Sequence, residues 1–229
     1  MTEIDDEDVE ALFITFQMEA KLIRLVGNTL VPSKISIKAD VAPEEDVGEA
    51  ELNLAITKIR FWYDNLVSKA IAFSHENEAA LAMFIDETGK NRTGNLIMTT
   101  PGDPTDEILA ALFQAKMTSL SSGNIHFGSV EVRSDNPVGL SFVFMGDGAK
   151  VLPNMEEWIG PRSYFKKPWW SRDDASTLDV IPTKDADLTK VPAWAFSLDS
   201  LGTPKAESGL VIRPSFKPTV IDGGNKPTK

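Results

Sequence analysis

The spacing of apolar residues near the start of the chain predicts an amphipathic helix. Apolar side chains recur at steps of three and four residues, at Val9, Leu12, Phe13, Phe16, Ala20, Ile23 and Val26. This spacing places them on one face of a helix. An acidic cluster at residues 3–8 suits a helix N-terminus, and Gly27-Asn28 is typical of a helix end. We therefore expect an N-terminal helix within residues 1–30.

The pattern between residues 31 and 100 predicts a strand, a long helix and a β-hairpin. Ile35 and Ile37 alternate with polar residues, which is typical of a strand. From about Glu49 to Phe73, apolar residues follow helical spacing without an interrupting Gly or Pro. Two apolar runs, at 80–85 and 95–100, then flank a polar connection that contains glycine. That arrangement favours a hairpin.

A second helix and two further strands complete the predicted core. Asp103-Pro104 has the composition of a helix start, and apolar residues continue to Leu120. Strands are expected at 125–132 and 140–145, joined by a turn at 134–139. The resulting order, β-α-β-β-α-β plus an added strand, predicts an α+β fold with a ferredoxin-like (split βαβ), two-layer core over residues 31–148.

The character of the chain changes after Gly148. This region holds 9 of the 14 prolines and four of the five tryptophans, and no helical period persists in it. A disordered segment is normally poor in aromatic residues. We therefore expect an irregular arm at 149–202 that packs on the core or on a partner, followed by a flexible tail at 203–229.

Composition narrows the chemistry. The chain of 229 residues has no cysteine and only two histidines, which excludes thiolate catalysis, disulfides and cysteine-ligated metals. No cofactor or metal site is expected from any motif. Its acidic start is unlike a secretory signal, no apolar run reaches membrane-spanning length, and the net charge is −11. These features predict a soluble protein of the cytoplasm with no membrane contact.

One segment of the arm combines aromatic rings with cations and no acid. Its candidate binding residues are Arg162, Tyr164, Phe165, Lys166, Lys167, Trp169, Trp170 and Arg172. Rings that stack on bases, beside cations that meet phosphates, are the chemistry of single-stranded nucleic-acid binding. The same residue types dominate protein interfaces. A third interpretation is that the tryptophans attach the arm to the core while the lysines extend into solvent.

These patterns favour a non-enzymatic assembly or protein-interaction function, in which the arm contacts a partner protein or another copy of the chain. The combination of a small core and an aromatic arm resembles subunits that tie together assemblies such as viral particles. Single-stranded nucleic-acid binding through Phe165–Arg172 is the alternative. A weaker alternative is a Mg-dependent enzyme of phosphate chemistry, which would use the turn acids Asp86, Glu87, Asp103, Asp106 and Glu107. No residue is predicted to be catalytic.

Overall fold

The computed structural model describes residues 14–86, 89–92, 96–135 and 139–202. Its strands are β1 (Ile14–Val26), β2 (Thr29–Pro43), β3 (Ala70–Ser74), β4 (Leu96–Thr100), β5 (Ile125–Ser134) and β6 (Phe142–Phe144). Its α-helices are α1 (Glu49–Trp62), α2 (Glu78–Phe84), α3 (Asp106–Leu120), α4 (Gly148–Val151) and α5 (Met155–Trp158). One six-stranded mixed sheet has the order β4-β3-β1-β2-β5-β6. The α+β class is confirmed, whereas the ferredoxin-like arrangement is not.

The predicted N-terminal helix is wrong over residues 14–26, which form strand β1. From Phe16 to Leu22 the chain alternates strictly between apolar residues, which face the core, and Gln17, Glu19 and Lys21, which are exposed. That alternation has the period of a strand. The Gly27-Asn28 pair is a two-residue hairpin turn, since Val26 pairs with Thr29, and Gly27 has a φ of +57°. Residues 1–13 lie outside the described part of the chain.

Two further predictions between residues 49 and 100 are wrong. The expected long helix ends early: α1 runs into a π-helical turn at 63–67, Lys69 has a φ of +72°, and β3 follows. The expected hairpin is absent because the first apolar run forms α2. Asn77 caps that helix by accepting a hydrogen bond from the backbone N–H of Ala80, at 3.0 Å. The second run is β4, which pairs with β3 in parallel.

The predictions for α3, β5 and β6 are confirmed, and α3 is the central helix of the fold. It packs with α1 on one face of the sheet, and most of its side chains are buried. Thr105 caps α3 by accepting a hydrogen bond from the backbone N–H of Ile108, at 3.3 Å. Since β1 lies at the centre of the sheet, the core begins well before residue 31.

The opposite face of the sheet is divided into a covered part and an open part. Beneath β3 and β4, the apolar residues Ile71, Phe73 and Ile97 pack against α2 and against Leu178 and Val180 of the arm. Beneath β2 and β5, by contrast, the exposed residues are mostly polar. The arm therefore belongs to the fold on the β4 side of the molecule and leaves the β6 side uncovered among the described residues.

Candidate interaction site

Trp169 and Trp170 lie in the core and not on the surface. Both side chains have 0% of their area exposed. The indole Nε1 of Trp169 donates a hydrogen bond to the carbonyl oxygen of Thr99 in β4, at 3.0 Å, and its ring centroid lies 6.2 Å from that of Trp62 in α1. Trp170 packs edge-on against Trp158, with centroids 4.9 Å apart. The two rings thus attach the arm to the core of its own chain.

Lys116 holds the same part of the arm from the side of α3. Its side chain is fully buried, and its Nζ donates hydrogen bonds to the carbonyl oxygens of Trp169, Arg172 and Asp174, at 2.9, 2.8 and 2.7 Å. Burial lowers the pKa of Lys116 to about 7, while the carboxylate of Asp174 acts in the opposite direction. Three backbone carbonyls of the arm therefore depend on one lysine.

Arg172 is a second cation that forms hydrogen bonds with several parts of the arm. Its Nε donates to Asp174 Oδ2 at 2.9 Å, and its Nη1 donates to Asp179 Oδ1 at 2.8 Å and to the carbonyl oxygen of Lys167 at 2.7 Å. The guanidinium also lies over the ring of Phe165, 3.7 Å from its centroid. These contacts occupy the charge that was predicted to meet a phosphate.

Asp179 is the buried acid of this network. Besides Arg172, it accepts hydrogen bonds from the backbone N–H of Trp169 at 2.8 Å and from the indole Nε1 of Trp158 at 3.2 Å. Burial raises the pKa of Asp179 to about 6, although the charge of Arg172 and the hydrogen bonds lower it. The positions of Trp158 and Trp169 are therefore coupled to one carboxyl group.

The other predicted binding residues differ in their contacts and in their exposure. Arg162 donates from Nη2 to the carbonyl oxygen of Thr183, at 2.9 Å, and so supports a neighbouring loop. Tyr164 is half-buried and packs on the β3–β4 cluster. Lys166 and Lys167 are exposed. The segment is thus divided: its cations at 166 and 167 face solvent, whereas Trp169 and Trp170 are inaccessible to a base or a partner in this conformation.

The arm also closes one edge of the sheet. The backbone N–H of Thr99 in β4 donates to the carbonyl oxygen of Thr177, at 3.0 Å. The hydroxyl of Thr177 donates in turn to the carbonyl oxygen of Ile97, at 2.5 Å. Both bonds lie on the side of β4 that faces away from β3, so the arm occupies the positions where another strand would pair.

The opposite edge, formed by β6, is open among the described residues. β6 pairs on its inner side with β5, from Val130–Phe144 to Val132–Phe142, and no other described strand pairs on its outer side. Residues 139–146 contain no charged side chain. Apolar residues at this edge are exposed to unusual degrees: Leu140 54%, Phe142 37%, Val143 54% and Met145 76%. This segment, residues 139–146, is called the β6 edge below.

A cleft of about 880 Å³ lies between β4 and the arm. Ile97 of β4 contributes to its lining, together with Leu178, Val191 and Trp194 of the arm. Its volume falls within the range of small-molecule sites, which are also mainly apolar. The cleft therefore offers a ligand chiefly apolar contacts.

Three of these features were missed by the sequence-based predictions. Lys116 had a detectable signal, because it is the single charge in the stretch from Leu109 to Met117, whose other residues are apolar except for Gln114. Asp179 had none, because its partners lie in a segment without a regular period. The closure of β4 had none, because Thr177 and Ile97 are 80 positions apart. The turn acid Asp106 is not free for a metal: it forms a 2.5 Å ion pair with Arg24, and both side chains are buried.

Within the described ranges, no group of three or more metal-ligating side chains is found. In the same ranges, no helix has the length and apolar character needed to cross a bilayer. Of the other turn acids, Glu87 lies outside the described residues.

No protein-family model matches the chain, and no curated protein matches its sequence. Among solved structures, it is similar to 6-pyruvoyltetrahydropterin synthase of Plasmodium vivax. A catalytic-residue mutant of that enzyme has 8% identity and a TM-score of 0.31, over 59% of this chain and 99% of that chain. Another structure of the same enzyme has 7% identity and a TM-score of 0.30, with the same coverage. Similarity at this level supports no conclusion about function.

Proposed function

We propose that this chain is a non-enzymatic interaction subunit of a protein assembly and that it accepts a partner strand along the β6 edge. The observation that carries the proposal is the exposed, apolar and charge-free character of that edge. Natural proteins normally protect an edge strand with charges, prolines, bulges or a covering segment, because its unpaired N–H and C=O groups recruit other strands. β4 has such a cover, provided by the arm.

This proposal moves the partner contact away from the arm. The sequence-based hypothesis placed the contact there because the aromatic area of the arm needs a surface to cover it. Trp169 and Trp170 find that surface in α1, α3 and β4 of their own chain. In the present proposal the arm closes one side of the sheet, and association is directed to the other side.

The two alternative functions have less support. Nucleic-acid binding requires accessible rings for stacking. Trp169 and Trp170 are buried and Phe165 is half-buried, so Lys166 and Lys167 are the fully exposed residues of Phe165–Arg172. The magnesium-dependent alternative loses Asp106, whose carboxylate is occupied by Arg24 and by the backbone N–H and hydroxyl of Ser134. Among the described residues, no group of three or more metal-ligating side chains takes its place.

A labelled peptide tests whether the β6 edge accepts a strand. A short alternating Thr–Val peptide carries β-propensity without charge, and its binding is followed by fluorescence anisotropy at dilute protein. We expect binding to the wild type and to Ile181→Lys, an equally polar change at an exposed residue of the arm (61% exposed). Val143→Lys should reduce binding, because lysine on an edge strand opposes strand addition.

Two controls define the outcome. The same peptide with a central proline has lost a backbone donor and should not bind. Equal affinity of the two lysine variants, or no binding to the wild type, would show that the β6 edge does not receive a strand and would remove the proposed function.

A further inference from the structure

We propose that the strand received by the β6 edge is the β6 edge of a second copy, paired antiparallel and centred on Val143. The two six-stranded sheets then form one continuous sheet of twelve strands. This inference rests on the proposed function and adds to it the identity of the partner. It is carried by three features of the described residues: the closed β4 edge, the alternation of side chains along β6, and the absence of charge.

The closed β4 edge restricts how two copies can pair. A head-to-tail arrangement would join the β6 edge of one copy to the β4 edge of the next and would grow into a filament. Thr177 already occupies outward-facing positions of β4. Pairing between identical edges is therefore the arrangement that remains, and a twofold contact of that kind closes at two copies.

Alternation along β6 selects the register. Phe142 and Phe144 lie opposite Val132 and Val130 of β5, on the face covered by the helices, while Val143 lies opposite Glu131 on the other face. Side chains directly opposite each other in an antiparallel pair share a face. With Val143 on the twofold axis, Phe142 of one copy faces Phe144 of the other. Aromatic cross-strand pairs of this type stabilise a sheet.

The charge distribution permits contact between copies despite a net charge of −11 per chain. Like charges placed directly opposite each other destabilise a strand pair. Residues 139–146 contain no charged side chain, and the flanking acids Asp135 and Asp147 lie outside the paired segment. Centred on Val143, the pairing matches residues 140–146 of the two copies, so each apolar or small side chain there would meet another apolar or small side chain.

The expected dimer is a weak one. Pairing over one short strand buries less than the roughly 1,200 Å² below which interfaces are usually transient. We therefore expect dimers that dissociate on dilution through the micromolar range.

A single introduced cysteine tests the register directly, because the chain has none of its own. On the twofold axis, the two copies of residue 143 would have Cβ atoms about 4.5–5.5 Å apart, close to the spacing in a disulfide. We expect Val143→Cys to form a covalent dimer on air oxidation, whereas Ile181→Cys, at an even more exposed residue of the arm, should form no disulfide-linked dimer. Equal cross-linking of both variants, or none in Val143→Cys, would overturn the proposed pairing.

Sedimentation velocity of the full-length wild type provides a second test that does not depend on a cysteine. The mass should rise from one copy to two with concentration and no further. Val143→Lys should weaken this association at least about tenfold, since it places two like charges opposite each other. Glu131 of β5, directly across from residue 143, gives the lysine a partner within its own chain and so preserves the fold.

The outcomes separate this inference from the function on which it rests. A monomeric wild type that still binds the Thr–Val peptide means that the β6 edge receives a strand from another protein, or another segment, and that pairing between copies is wrong. A wild type that grows beyond two copies means that the β4 edge is open, which also overturns the inference. Failure of peptide binding removes the proposed function and, with it, the inference that rests on it.

Discussion

At the scale of single residues, the arm depends on Lys116. Its ammonium group is fully buried and serves three carbonyl oxygens that belong to residues 53 to 58 positions away in the sequence. A buried backbone carbonyl that loses its partner costs about 1–3 kcal/mol. Trp169 and Trp170 lie directly on this part of the arm, so their fluorescence reports its position.

We expect Lys116→Met to lower the free energy of unfolding by about 2–4 kcal/mol, because methionine fills the space but donates no hydrogen bond. Urea unfolding followed by tryptophan fluorescence measures the loss. Lys58→Met is a matched control: Lys58 is a buried lysine of α1, but its partner Asp199 is 70% exposed and can be solvated instead. The control should lose less than half as much stability. A larger loss in the control would contradict the role given to Lys116.

Asp179 should make stability depend on pH between about 4 and 6. Its pKa is raised from 3.8 to about 6 in the folded protein, so the folded state keeps a proton that the unfolded chain has lost. The resulting stability is complete below the unfolded pKa and disappears as the pH rises through the folded pKa. Relative to Asp179→Asn, the wild type should therefore lose about 1–3 kcal/mol between pH 4 and pH 7. Parallel profiles of the two proteins in urea would contradict this assignment.

At the scale of elements, close approach between α4 and α3 depends on Gly148. Its backbone N–H donates to Gln114 Oε1 at 2.7 Å, and an added Cβ would overlap the carbonyl oxygen of Ala111. α4 immediately follows the β6 edge in the chain. The spacing between these two helices therefore helps to fix the position of that edge.

Gly148→Ala should destabilise the protein by about 1–3 kcal/mol, since α4 has to move away from α3 to make room for a methyl group. Gly128→Ala is the control: a Cβ there would meet only the carbonyl oxygen of Asp40, at an ordinary 3.8 Å. The control should stay within about 0.5 kcal/mol of the wild type. Chemical unfolding of the wild type and the two variants measures these changes in stability. Equal losses in Gly148→Ala and Gly128→Ala would show that the α3–α4 contact is not close packed.

Which elements could be predicted depended on how local their determinants are. α3 has a start signal at Asp103-Pro104 and apolar residues that continue to Leu120, and both act within the segment itself. β1 contains apolar residues that fit a helical spacing and a strand spacing equally well over part of its length. Its pairing with β2 and β3 decides between them. The pattern before β4 favours a hairpin because two apolar runs flank a connection that contains glycine. The strand that pairs with β4 is instead β3, which precedes α2 in the chain.

The candidate site was less predictable than the fold, for the same reason. The unusual composition of residues 162–172 was evident, but the three interpretations of it differ only in whether the rings meet the core, a base or a partner. The contacts of Trp169 with Thr99 and Trp62 place its ring in the core, and they span 70 and 107 positions of sequence. The β6 edge was predicted as a strand, but its place at the end of the sheet follows from the complete strand order.

At the scale of the whole molecule, the described part of the sheet is asymmetric: the arm covers one edge, and no described strand pairs with the other. Coverage of β4 uses hydrogen bonds from Thr99 and Thr177, whereas the β6 edge presents exposed apolar side chains and pairs on its outer side with no strand in the described ranges. A protein with two open edges would tend to polymerise, and one with none would have no strand-pairing surface. One open edge directs association to a single place.

Hydrogen–deuterium exchange by mass spectrometry, at low and high protein concentration, tests this asymmetry most directly. We expect the amides of 96–100 to be protected at both concentrations, because the arm already covers β4. The amides of 140–145 should exchange rapidly in dilute solution and become protected as the concentration rises. Protection of 140–145 at every concentration, or rapid exchange of 96–100, would contradict the assignment of one closed and one open edge.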